Sequence, residues 1–172
     1  TVSSALAVIS VNLSDSVTNI LAPTDVVGAV EASNWHNTTT NNESLGNVED
    51  DAGNATTTSI SMGSTPFFYA NSTGELAAPM DDDAKMMRST RATSNSPTMI
   101  ATATQIPYAT YDVYVYWGGR TTGETVPATM TVELQLDNGG TWATSQTLYM
   151  RDDDHTWDGT YNESTATSAA DA

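Results

Sequence analysis

Carboxylates are the most abundant ionisable groups in this chain. Three runs concentrate them: Glu49-Asp50-Asp51, Asp81-Asp82-Asp83, and Asp152-Asp153-Asp154 with Asp158 close behind. Adjacent like charges repel, and a calcium ion held by the carboxylate and carbonyl oxygens of a loop would relieve that repulsion. Asp81, Asp82 and Asp83, together with Asp152, Asp154 and Asp158, are the expected calcium ligands. None of the runs has the ligand spacing or the central glycine of an EF-hand loop, and a solvated acidic turn is the competing reading.

Other chemistry has less to work with. Cysteine is absent, which removes disulfides, thiolate catalysis and Cys-ligated zinc together. His36 and His155 are the only histidines, and neither has a Glu or a second His at helical ligand spacing. No serine sits in a Gly-x-Ser-x-Gly turn, the setting of a hydrolase nucleophile. Carboxylate pairs suited to glycoside hydrolysis are too plentiful to single one out. The residues point to no catalytic constellation and no organic cofactor, so the expectation is a protein that is not an enzyme.

Two surface chemistries remain. Asn-x-Ser/Thr acceptor patterns fall at Asn12, Asn37, Asn42, Asn54, Asn71 and Asn162, where composition alone predicts about three. Asn12 lies in an apolar stretch; Asn37, Asn42, Asn54, Asn71 and Asn162 are the expected glycan acceptors. Thr38–Thr40 and Thr56–Thr58 are candidates for O-linked sugars. Exposed aromatics could instead bind sugar by stacking, with Tyr114, Tyr116 and Trp142 as the platform; packing on a sheet face is the competing role for the same side chains.

The composition sets the frame in which these groups act. The 172 residues carry 21 Asp and Glu against 5 Lys and Arg, a net charge of -16. So little positive surface leaves nothing to neutralise phosphates, which excludes nucleic acid and anionic membrane as partners. No apolar run approaches the roughly 18 residues that span a bilayer. Thr1 stands in place of an initiator Met, and the expected history is export followed by processing, which places the protein outside the cell or on its surface. Polar character comes from 29 Thr, 17 Ser and 12 Asn, a composition suited to a β-rich extracellular surface.

The elements that position these groups are strands. Val, Ile, Thr and aromatic residues recur at a period of two between clusters of Gly, Asn, Asp and Pro, the pattern of half-buried strands. The clearest runs are Tyr111–Trp117, bulky on both faces, and Thr129–Leu136, apolar on one. Asp137-Asn138-Gly139-Gly140 then predicts a tight turn and Thr141–Met150 a returning strand. Further strands are expected at Leu6–Leu13, Val26–Ser33, Ala55–Met62, Thr98–Ile106 and Thr156–Tyr161. Asp81–Arg91 predicts one short helix on a connection, capped by Asp82 or Asp83, and Asn34–Asn54 reads as a polar surface loop. About eight strands joined by polar turns imply an all-β chain, a jelly-roll-like antiparallel β-sandwich.

Two segments together carry a resemblance. One runs from Val11-Asn12-Leu13 through Leu21-Ala22-Pro23-Thr24-Asp25-Val26-Val27-Gly28-Ala29-Val30 to Asn34-Trp35. The other runs from Asp83-Ala84-Lys85-Met86-Met87 to Ile106-Pro107-Tyr108-Ala109-Thr110-Tyr111-Asp112-Val113-Tyr114-Val115-Tyr116. They resemble secreted β-sandwich domains in surface proteins of planctomycete-like and verrucomicrobia-like bacteria. The matching motifs describe turns and strands and carry no chemistry. Members of that group continue past the position of Tyr161 with further apolar strands, whereas this chain runs on as the polar stretch 162–172.

The resemblance therefore implies a sandwich one strand short, and a sheet lacking a strand exposes unpaired backbone beside an uncovered groove. Residues 1–13 are the expected filler, with Val2, Leu6, Val8, Ile9, Val11 and Leu13 as the apolar residues of a strand that folds back onto its own domain or is donated to a neighbouring copy; donation is the reading taken forward. On this reading residues 1–13 are a donor segment, 14–161 the sandwich and 162–172 a tail. The expected function is an extracellular, glycosylated structural subunit that polymerises with copies of itself into a filament or surface layer. A carbohydrate-binding module is the alternative.

Overall fold

The computed structural model describes residues 7–12, 20–40, 43–63, 67–70, 81–92, 100–116, 128–137, 139–152, 159–168 and 170–171. The chain is all-β with one short helix, as its alternation predicts. In order, the elements are β1 (Val11–Asn12), β2 (His36–Asn37), β3 (Ser44–Leu45), β4 (Ser59–Gly63), β5 (Phe67–Ala70), α1 (Asp82–Arg88), β6 (Ser89–Ala92), β7 (Ile100–Thr104), β8 (Ala128–Asp137) and β9 (Trp142–Asp152). They fall into two compact units, Thr1–Tyr114 and Val115–Ala172.

In the first unit, β1 and β2 pair in parallel, β4 lies between β3 and β7 in an antiparallel sheet, and β5 pairs antiparallel with β6. α1 is on the connection between β5 and β6. Its cap is Asp81 rather than Asp82 or Asp83: Asp81 Oδ1 accepts the Ala84 N–H at 2.8 Å. That is the geometry of an N-cap carboxylate bonding the third helical N–H, and it leaves Asp82 and Asp83 in the first turn, where the helix dipole favours them.

The core of this unit comprises Leu21, Val27, Ala32, Trp35, Val48, Met62, Ala84 and Met86. Two of its regions depart from the sequence-based expectation. Val26–Ser33 is a tight turn, not a strand: Val27 and Ala32 exchange both backbone bonds at 3.1 Å across residues 28–31. Gly28 sits there at φ 101°, a conformation that glycine adopts without the usual steric cost. Asn34–Asn54 is not a surface loop, because it holds β2, β3 and the buried Trp35, Thr38, Val48 and Asp50. Its polar groups pack by bonding one another. Glu43 Oε2 accepts the N–H groups of Thr39 and Thr40, and Asn34 Nδ2 donates to Glu49 Oε2 and to the Asp50 carbonyl. Buried polar groups are tolerated when each finds such a partner.

The second unit is built on the β8–β9 hairpin, with the expected turn. Gly139 and Gly140 have φ 69° and 89°, and the Gly140 N–H donates to Asp137 Oδ1 at 2.6 Å. Register is regular from Ala128↔Asp152 to Leu134↔Gln146, then steps to Gln135↔Thr144. Ser145 is therefore the extra residue of a β-bulge, and its Oγ donates to the Leu134 carbonyl. Cross-strand partners share a face, so the bulge puts Trp142 with Asp137 and Ala143 with Leu136. Unbroken alternation would have left Trp142 on the face of Leu148 and Met150. The polar segment after Tyr161 lies along β9, where the Ala166 carbonyl accepts the Tyr149 N–H at 3.0 Å and Ser164 Oγ donates to the Tyr149 carbonyl.

Two further expected strands differ. Thr156–Asp158 lie outside the described residues, and Gly159–Tyr161 form no strand. Tyr111–Tyr116 form none either, although their alternation is the clearest in the sequence; Trp117 is outside the described residues.

Candidate functional site

The expected assembly residues divide into two sets. Val2, Leu6 and Leu13 lie outside the described residues. Val8, Ile9 and Val11 lie in a segment held by its own unit. The Val8 N–H donates to Asp51 Oδ1 and the Asp51 N–H returns to the Val8 carbonyl. Farther along, the Ser10 and Asn12 carbonyls accept the N–H groups of His36 and Thr38. Bonds at Val8, Ser10 and Asn12 hold this segment to its own unit along one edge, so Val8, Ile9 and Val11 are not part of a free tail.

The free segment lies elsewhere. Tyr111, Asp112, Val113, Tyr114 and Val115 have no strand partner and no hydrogen bond among the described residues. Their large side chains stand in solvent, with Val113 54% and Tyr114 58% exposed. Five successive residues, four of them Tyr or Val that favour strands, without a ladder and without cover among the described residues, are what an unpaired strand presents. In the second unit, the apolar face of the hairpin is likewise open. Val132, Leu134, Leu148 and Met150 are only half-buried and Leu136 is exposed. Among the described residues of this unit, no hydrophobic side chain is buried. A lone two-stranded hairpin is marginal in water and gains independent stability from a third strand or from cover on its apolar face.

The acidic runs are engaged in internal bonding. Asp81 caps α1, Asp82 Oδ1 meets Lys85 Nζ at 2.8 Å, and Asp83 Oδ1 accepts the Gly28 N–H at 2.8 Å. Lys85, the chain's single lysine, also meets Asp25 Oδ2 at 3.0 Å. The bond to Asp82 raises the Lys85 pKa against the opposing effect of burial, and Asp25 adds to the rise. Burial pushes the Asp25 carboxyl up, but the Ala22 N–H and the Lys85 ammonium outweigh it and hold the group below its usual range.

Asp50 is held low chiefly by the backbone and side-chain N–H groups of Asn54, with burial opposing and the Ala52 N–H assisting. Burial and the charges of Asp50 and Asp51 push the Tyr108 phenol up. Among the described residues no group of three or more His, Asp or Glu is placed to hold a metal ion. Asp152 ends β9; Asp154 and Asp158 lie outside the described residues. His36 is part of the packing, with Nε2 accepting the Glu49 N–H at 2.9 Å; His155 lies outside.

The glycan acceptors separate by burial. Asn37 is an internal clamp. Its Nδ2 donates to the Leu21 carbonyl at 2.9 Å, and its Oδ1 accepts from Leu21 N and Asn12 Nδ2, both at 2.9 Å. A sugar on Nδ2 would displace the bond to Leu21. Asn12, Thr38 and Thr58 are buried and are likewise unsuited to carry one. Asn54 is exposed, with Nδ2 on the Asp50 carboxylate, and Asn162 is exposed. Asn42 and Asn71 lie outside the described residues.

Of the stacking aromatics, Tyr114 in the first unit and Trp142 in the second are exposed. Tyr116 packs edge-on against Tyr161, with ring centroids 5.3 Å apart at 64°. No family model, curated protein or solved structure matches the chain.

Proposed function

We propose that this chain is an extracellular structural subunit that assembles with copies of itself, as a filament or surface layer, by β-strand complementation. The observation that carries the reading is the unpaired, uncovered segment Tyr111–Val115. An edge or strand left with free N–H and C=O groups is a template for pairing with another chain, and folded proteins normally blunt it. On this reading the two-sheet sandwich implied by the strand pattern is completed between copies, with the strand supplied from 111–115 instead of the amino-terminal segment. Among the acceptors within the described residues, Asn54 and Asn162 are the exposed ones and so the best placed to carry sugar on such a coat.

Sedimentation velocity over a hundredfold concentration range, with electron microscopy of the heaviest fraction, tests the reading. Concentration-dependent species larger than a dimer are expected; a monomer at every concentration overturns it. A second reading, a carbohydrate-binding module, is favoured by the exposure of Tyr114 and Trp142. It requires quenching of tryptophan fluorescence by a polysaccharide, lost in Trp142→Ala.

A further inference from the structure

We infer that Tyr111–Val115 of one copy adds antiparallel to the outer edge of β8 in a second copy, with Val113 opposite Leu134. The inference rests on the self-assembly reading and specifies the acceptor and the register. β8 is ten residues long and its one partner among the described residues is β9. In an antiparallel pair only alternate residues bond across to the partner, so the remaining N–H and C=O groups of β8 face outward along its length. That edge carries no Lys and no Pro, two of the devices that usually block pairing, and the extra residue of the bulge at Leu134/Gln135 is on β9.

Side-chain patterns and charge then select one register. The donor alternates Tyr111, Val113 and Val115 on one face with Asp112 and Tyr114 on the other. β8 alternates Val132, Leu134 and Leu136 with Thr131, Glu133 and Gln135. Shifting by one residue would turn the apolar set of the donor onto the polar face of β8. With Val113 opposite Leu134, Asp112 meets Gln135, Tyr114 meets Glu133, and Tyr111 covers Leu136, which is 46% exposed. Sliding by two residues in either direction places Asp112 opposite Glu133 or opposite Asp137, like charges that disfavour a cross-strand pair. Parallel pairings remain, but they form slightly weaker ladders and cannot bring residue 112 to 135 and residue 114 to 133 at once.

The absence of cysteine makes the register directly measurable. Asp112, Tyr114, Glu133 and Gln135 are all exposed, so single substitutions there leave packing undisturbed. D112C and Q135C are made in separate, differently tagged chains, mixed and oxidised, and the disulfide between tags is read on a non-reducing gel. Y114C with E133C is the second pair; Y114C with T131C and Y114C with Q135C, which report the two-residue slides with Asp112, Glu133 and Asp137 intact, are the off-register controls. Cross-strand neighbours are close enough for a disulfide with small backbone adjustment. Both in-register pairs are expected to cross-link at least tenfold more than either control. A chain that sediments as an assembly yet links neither in-register pair overturns this inference and leaves the self-assembly reading standing. A D112C/Q135C double variant that closes within one chain, in a protein that stays monomeric, overturns both.

Discussion

Thr58 is the one described residue whose buried side-chain oxygen finds no partner. Its backbone N–H bonds Thr56 Oγ1, but its own Oγ1 has nothing to bond, and the side chain is 2% exposed. An unsatisfied buried hydroxyl costs roughly 1 kcal/mol or more, so Thr58→Val, nearly the same shape without the hydroxyl, is expected to stabilise the protein by about 1 kcal/mol. A lower denaturation midpoint in urea would show that the hydroxyl is bonded after all.

Carboxylates lie at the opposite pole, because Asp25 and Asp50 are held below their usual range by donors that exist only in the fold. A depressed folded-state pKa gives a contribution that is present above the unfolded value of about 4 and is lost as pH falls through the folded value. Stability should therefore be flat from pH 7 to about 5 and fall below about 4. Asp50→Asn, whose amide oxygen can still accept the Ala52 and Asn54 N–H groups at Oδ1 but which loses the acceptor at Oδ2 and does not titrate, should flatten that acid limb in melts recorded at successive pH values. An unchanged slope would remove Asp50 from the account. The same bookkeeping explains why the Asp81–Asp83 run reads so plausibly as a cation site. Its mutual repulsion is evident from spacing, but the partners that relieve it, Gly28 N–H and Lys85 Nζ, come from folding.

At the scale of elements, hairpin β8–β9 carries its instructions locally. Alternation sets the strands and Asp137-Asn138-Gly139-Gly140 sets the turn, with the predicted chemistry at the atoms that matter. Gly140 sits at φ 89° with no atom within 4 Å of where a Cβ would stand, so Gly140→Ala introduces backbone strain without a clash. It should cost about 1 kcal/mol, read from the denaturation midpoint. A neutral result would mean that the turn relaxes to another type.

What pattern reading missed depends on partners distant in sequence. Asn34–Asn54 looks like a loop because apolar periodicity is absent, yet Asn37 and Asp50 pack by side-chain bonds, and these leave no periodic trace. The bulge at Ser145 is equally silent: a single extra residue shifts Trp142 to the other face without altering the composition of the strand. Tyr111–Val115 shows the converse: the clearest alternation in the sequence forms no strand among the described residues, because alternation says nothing of a partner to pair with. The N-terminal segment left two readings open for a related reason. Its apolar residues marked a strand, and the bonds from Val8 to Asp51 and from Ser10 to His36 that hold it at home come from residues far along the chain.

For the whole molecule, the difficulty of any polymer is charge. Each copy carries -16 at neutral pH with a sequence pI near 4.1, and like-charged subunits repel over distances set by the Debye length, about 30 Å at 0.01 M salt and about 10 Å at 0.1 M. The residues of the proposed docking hold few charges: Asp112 on the donor, Glu133 and Asp137 on β8. In the proposed assembly repulsion would act between whole subunits and attraction at the strand edge, so salt should screen the first without weakening the second. Raising sodium chloride from about 0.01 M to about 0.3 M is expected to strengthen assembly, seen as a larger weight-average sedimentation coefficient at fixed protein concentration. Salt-induced dissociation would mean that ion pairs hold the copies together, contrary to the strand-edge account. Calcium chloride at matched ionic strength separates screening from binding. Equal assembly in the two salts assigns the effect to screening alone, whereas a further gain with calcium, accompanied by a rise in melting temperature with calcium concentration, marks a cation bound by the native state. In the second case, repeating the titration with Asp152→Asn locates the ion, because the gain disappears only if that carboxylate holds it.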